Sequence, residues 1–167
     1  MKTLILTRHA KSSWDDLTLQ DHDRRLNKRG RASAKVIGQW LTDNNHLPEE
    51  VLSSTAERCR ETWDRIALQL ASPPSPIFFK RLYLPAPETM YEVLKHAKSD
   101  TVMMLSHNPG ISTFARQLVK SPPLHPKFDQ YPTAATTIIT FDIPDWSTPF
   151  LGTGTVTDFI VPRELLE

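Results

Sequence analysis

The stretch TVMMLSHNPGIS, Thr101–Ser112, runs from an apolar segment into His-Asn-Pro-Gly and back into apolar residues. Its first half, Thr101–Ser106, has the length and composition of a strand buried on both faces. After it, Ile111, Phe114, Ala115 and Leu118 recur at helical spacing. Asn108 is placed to be the N-cap of that helix and Pro109 its first residue. A buried strand that passes at once into an amphipathic helix is the building block of a parallel crossover.

Working outward, the same block recurs. Lys2–Thr7 reads as a short buried strand and residues 8–25 as a polar connection. A helix opens at Leu26-Asn27, with Asn27 as N-cap and Val36, Ile37, Trp40 and Leu41 as its apolar stripe. Val51-Leu52-Ser53 is a second strand. Ser54-Thr55-Ala56-Glu57 has the form of a capping box, and the helix behind it buries Cys59, Trp63, Ile66 and Leu70. Ser72–Pro76 ends that helix. Ile77–Phe79 is a strand, and Pro87 suits the first turn of a helix through Met90, Tyr91 and Leu94. Residues 121–135 form a Pro-rich loop. Thr136–Asp142 and Thr155–Val161 follow as two strands with no helix between them, so one of the two should be antiparallel. The expected fold class is α/β, a three-layer sandwich with a mostly parallel central sheet and one antiparallel strand.

The 167 residues suit one domain, 1–167. With 39% hydrophobic and 23% charged residues, the composition excludes a disordered chain. A net charge of +1 argues against an electrostatic nucleic-acid binder. The charge is uneven: residues 1–31 carry eight Lys/Arg against four Asp, read either as a solvated helix face or as a local positive field. No apolar run is long enough to span a membrane. The single cysteine, Cys59, has no internal disulfide partner, and no signal-peptide core follows Met1, so a cytoplasmic protein is expected; a monomer is expected as well.

In an open parallel sheet, ligands bind beyond the carboxyl ends of the strands. There the first strand delivers Arg8 and His9, the second leads to Arg58, and the Thr101–Ser106 strand ends in His107 and Asn108. Two guanidinium forks, a helix start and two imidazoles form a set suited to a phosphoryl group. Neighbouring arginines keep a histidine neutral, which frees a ring nitrogen to attack phosphorus. Each residue alone has a plain structural reading; the set on one sheet edge is what carries the phosphate site.

The segments LTRHAKSSW, DRRLNKRG, SSTAERCRETW and MLSHNPGIS resemble the histidine phosphatase superfamily, and within it the small SixA-type phosphohistidine phosphatases. The resemblance spans Thr3 to about residue 141 and implies a phosphoglycerate mutase-like fold. It implies that His9 is the nucleophile that becomes phosphorylated and that Arg8, Arg58 and His107 hold the phosphoryl oxygens. Lys11, Ser12 and Asn108 are supporting contacts. Glu88 stands about where many superfamily members carry a general acid, although a carboxylate there also suits the first turn of a helix. No metal or organic cofactor is implied. The favoured substrate is phosphohistidine on a protein. Ala10 departs from the Gly of the commoner Arg-His-Gly, and Arg25 from an expected Pro.

Other readings stand beside this one. Cys59 to Arg65 fits the Cys-x5-Arg spacing of a cysteine-dependent phosphatase, but no glycine intervenes and Cys59 falls on an apolar stripe. A phospho-ligand binding module would keep the arginines without the chemistry. A phosphatase or mutase acting on a small phosphorylated metabolite would use the same site, although no long insertion is present to enclose such a substrate.

Overall fold

The computed structural model describes residues 1–166. Six strands form one sheet in the order β3-β2-β4-β1-β5-β6. They are β1 (Lys2–Arg8), β2 (Glu50–Ser54), β3 (Ile77–Phe79), β4 (Thr101–Ser106), β5 (Thr136–Phe141) and β6 (Thr155–Ile160). The pairs β1–β4, β2–β4 and β2–β3 are parallel, and β5 runs antiparallel to both β1 and β6. One strand of the six therefore runs against the rest, as the missing helix between the last two strands implied.

The strands of the sheet centre are apolar throughout because helices cover both faces. Side chains alternate between two cores. Leu4, Leu6, Val102 and Met104 face one way, toward α3 (Pro87–Leu94) and α4 (Gly110–Leu118). Ile5, Met103 and Leu105 face the other way, toward α1 (Lys28–Asp43) and α2 (Glu57–Ala67). A short α5 (Pro162–Leu165) ends the described chain. The result is the expected three-layer α/β arrangement.

The helix starts divide. Asn27 caps α1 as expected, its side chain accepting from the Gly30 N–H at 2.8 Å. Pro87 is the first residue of α3. The capping box at Ser54–Glu57 does not form: Ala56 precedes α2 without a side-chain cap, and Ser54 Oγ accepts from the Ala56 N–H at 3.1 Å. Ser54 is at the end of β2, too early to cap, and its hydroxyl is drawn to His107 instead. Asn108 is not the N-cap of α4 either. Pro109 holds that place, after a cis Asn108–Pro109 bond, and the Asn108 amide donates to the carbonyls of Gln130 and Tyr131.

The Pro-rich segment before β5 is more than a surface loop. Phe128 and Tyr131 are fully buried in it, and the Tyr131 hydroxyl donates to the Leu6 carbonyl at 2.5 Å. Among the described residues helices are too short or too polar to cross a membrane.

Candidate active site

Residue pairing sets the site. Arg8 stands opposite Ser106 across β1 and β4, so His9 and His107, the next residues along, emerge side by side. Their ring centroids are 5.2 Å apart. Arg58 reaches the same place from the first turn of α2. The cleft these residues line encloses about 250 Å³.

His9 is held by its own chain. Nδ1 lies 2.7 Å from the Ala10 carbonyl oxygen, which can only accept, so Nδ1 carries the proton and Nε2 keeps its lone pair. The Ala10 N–H donates to Thr62 Oγ1 at 2.9 Å, which fixes that peptide plane. Burial pushes the His9 pKa down to about 3; the Ala10 bond opposes this, and the charges of Arg8, Arg58 and Arg24 add to it. His107 is pushed down to about 2, first by burial and then by His9 and Arg58. Its Nε2 lies 2.8 Å from Ser54 Oγ, and its Nδ1 is buried without a protein partner.

The arginines are oriented from behind. Arg8 Nη1 donates to the Tyr131 carbonyl at 3.1 Å. Arg58 donates through Nη1 to the Asp21 carbonyl at 2.7 Å and through Nη2 to the Asp21 carboxylate at 3.0 Å. Each leaves a buried Nε without a protein acceptor, and Arg24 leaves Nη1 the same way. Asp21 also accepts from the Tyr83 hydroxyl at 2.5 Å and lies 3.3 Å from Arg24 Nε. Burial raises the Asp21 carboxyl, but bonds from Tyr83 and Arg58 outweigh it and hold the pKa below the usual carboxylate range. The set can grip a tetrahedral oxyanion from several sides while one imidazole nitrogen remains free to react.

Three residues with positive φ surround this cleft: Leu84 at 47°, Tyr131 at 48° and Ala134 at 61°. Such values are uncommon outside glycine and collect where a backbone is forced to place functional groups. Ala10 is not one of them, so an alanine after the Arg-His pair needs no glycine conformation.

Of the residues singled out in the sequence, Arg8, His9, Arg58, His107, Lys11, Ser12 and Asn108 all line the cleft. Glu88 does not; it is exposed in the first turn of α3. Asp15 and Asp16 are exposed in the 11–26 connection. No carboxylate is among the described residues lining the cleft. Nor do three or more His, Cys, Asp or Glu side chains among the described residues gather where a metal could sit. Cys59 is wholly buried with its thiol pushed up to about 12, chiefly by burial, as a core residue should be.

Sequence reasoning missed Arg24, Trp14 and Asp21. Arg24 is buried at the cleft, with the Trp14 ring 3.4 Å from its guanidinium carbon. Only the pair Arg24-Arg25 was visible, and no local pattern separates the buried member from its exposed neighbour.

A model of the histidine phosphatase superfamily (branch 1) matches residues 4–78. An uncharacterized Mycobacterium leprae protein is 38% identical over 120 residues, 68% of this chain and 71% of its own length. A chloroplastic protein of Arabidopsis thaliana is 51% identical over 69 residues, 41% of this chain, and the match spans only 32% of that protein. A structure from Agrobacterium tumefaciens, assigned as phosphohistidine phosphatase SixA, superposes with a TM-score of 0.82 at 25% identity, covering 96% of this chain and 98% of that one. The matched segment, residues 4–78, carries Arg8, His9 and Arg58. By its sequence and its fold together, this chain belongs to the histidine phosphatase superfamily, in its SixA-type branch.

Proposed function

We propose that the protein is a phosphatase that works through a phosphohistidine on His9 and that its substrate is phosphohistidine on another protein. The observation that carries the reading is the His9 Nδ1–Ala10 carbonyl contact of 2.7 Å. It leaves Nε2 as a neutral nucleophile in the midst of three guanidinium groups.

In the first step Nε2 attacks phosphorus, a bond forms between them, and the bond from phosphorus to the leaving nitrogen breaks. The electron pair departs with that nitrogen, which takes a proton from solvent. The His9 ring gains positive charge as it is phosphorylated, and the Ala10 carbonyl stabilises it through the Nδ1 proton. Arg8, Arg24 and Arg58 donate their remaining N–H groups to the equatorial oxygens, where charge is spread in the transition state. His107 Nε2 lies 2.8 Å from Ser54 Oγ; with that hydroxyl as the donor, Nδ1 of His107 carries the proton and joins them. Water then attacks phosphorus, the P–N bond breaks, its electron pair returns to Nε2, and phosphate leaves.

The lining of the cleft supports a phosphoramidate over an ester. Expelling an alkoxide calls for an acid, and the described residues lining the cleft are cations, two imidazoles, an amide, hydroxyls and apolar groups, with no carboxylate among them. An imidazole leaving group needs much less help, and exchange of one P–N bond for another is close to balanced.

The test is trapping. The protein is mixed with a generic phosphodonor, quenched, and the labelled residue mapped by mass spectrometry. An acid-labile, base-stable phosphate on His9, lost in His9→Ala, is the expected result. Label on Cys59, or none, overturns the mechanism. Rapid turnover of a small phosphorylated metabolite with phosphohistidine proteins untouched overturns the substrate.

A further inference from the structure

Beside the phosphoryl cleft lies a second, larger groove of about 480 Å³, which shares Lys11 and Thr133 with it. Its cations come from four separate parts of the chain: Lys11 after β1, Arg29 in the first turn of α1, Lys127 in the Pro-rich segment and Arg163 on α5. No carboxylate is among the described residues lining it. Lys127 reaches Gln130 Oε1 at 3.3 Å, a neutral partner that leaves its charge uncompensated. Pro132, Val161 and Pro162 add an apolar floor.

Helix stability does not explain these charges. The first turn of α1 holds Lys28 and Arg29 and no acid. That is the end at which the helix dipole favours anions and disfavours cations. Arg29 is thus placed where it costs the helix and where it lines a groove next to the reactive cleft.

We infer that this groove holds the stretch of the phosphoprotein beside the phosphorylated side chain, and that it selects an acidic segment. This rests on the phosphatase reading above. Lys11 and Thr133 line both spaces, so the two adjoin, and a chain whose phosphoryl group sits at His9 has the groove next along its path. The cations match carboxylates, and the apolar floor matches the carbon atoms of a polypeptide. A small dianion would use the first and leave the second bare.

Two peptides carrying a hydrolysis-resistant phosphohistidine mimic test it, one flanked by Asp and Glu and the other by Asn and Gln. Binding is read by fluorescence anisotropy at low and at raised salt, with the wild type, R29Q/K127Q and R29E/K127E. Turnover of phosphoramidate, a donor too small to reach the groove, is measured in parallel. The wild type should prefer the acidic peptide by about tenfold at low salt, on the scale of two or three exposed ion pairs. The preference should vanish in both variants while phosphoramidate turnover is unchanged. Equal binding of the two peptides by the wild type overturns the inference, and so does a preference that survives R29E/K127E. A small bisphosphate that binds the wild type more tightly than the acidic peptide, and is lost in the variants, overturns it in favour of a metabolite site. Should the wild type leave phosphoramidate untouched, the phosphatase reading fails by itself, and the anisotropy comparison still decides the groove.

Discussion

At the scale of single residues, the two histidines set the pH behaviour. His9 and His107 have folded pKa values of about 3 and about 2, against about 6.5 when unfolded. His9, the proposed nucleophile, is therefore neutral well below the ordinary histidine range. The acid limb of kcat/KM for phosphoramidate, corrected for substrate ionisation, should lie below about pH 5. A limb near pH 6.5 contradicts the buried, cation-flanked histidine. The same shifts act on stability. Below about pH 6.5 the unfolded chain binds protons that the folded chain refuses, so stability is full above that value and falls as the pH drops toward the folded values. The slope is at most about 1.4 kcal/mol per pH unit for each imidazole. Thermal unfolding between pH 7 and 5 should show this, with a shallower fall in His107→Gln. Arg24 is the residue no local pattern marked. Arg24→Ala should lower kcat/KM by roughly 10- to 100-fold, the scale of one charge-assisted bond to a phosphoryl oxygen. Trp14→Ala, which removes only the ring over that guanidinium, should cost a few-fold, as an exposed cation–π contact of about 0.5–1 kcal/mol implies. Steady-state kinetics on the same donor compares them.

At the scale of elements, α1 is the one on which packing and site meet. A Cβ at Gly30 would stand 2.0 Å from the Lys11 carbonyl oxygen, a main-chain atom two residues beyond His9. Gly30→Ala should therefore cost about 1–3 kcal/mol in denaturant unfolding and also lower activity, because the Lys11 backbone has to move. Asn27→Ala, which only removes the cap, should cost about 1 kcal/mol and leave kcat unchanged. Equal effects of the two on activity would show that the close approach does not position the site. Elements with a strong period were legible in the sequence: β1, β4, α2 and α4 follow from apolar runs and stripes whose meaning is local. Their starts were less so. Ser54 and Asn108 have the composition of caps, yet each is claimed by a partner far along the chain, His107 in one case and the Tyr131 carbonyl in the other. The 11–26 connection and the Pro-rich segment carry no period at all. What they bring to the cleft, Trp14, Arg24 and Tyr131, is fixed by tertiary contact alone, and nothing in their immediate sequence states it.

At the scale of the whole molecule, three strand ends, a helix start and two irregular segments close on one small, cation-lined cleft. A ligand that binds only the folded state stabilises it by mass action. Inorganic phosphate at about a hundred times its Kd should add about 2.7 kcal/mol, and so raise Tm by roughly 5–10 °C for a chain of this size. Differential scanning fluorimetry would show it, with a smaller rise in Arg24→Ala. Finally, the groups that aim the reactive side chains are in large part peptide carbonyls: Ala10 for His9, Tyr131 for Arg8 and Asp21 for Arg58. A peptide oxygen is the same whatever side chain its residue bears. The aim of these groups is thus written in the path of the chain and is inherited through drift at those positions. A side-chain scan would pass over it, whereas a one-residue insertion or deletion in either irregular segment would erase it.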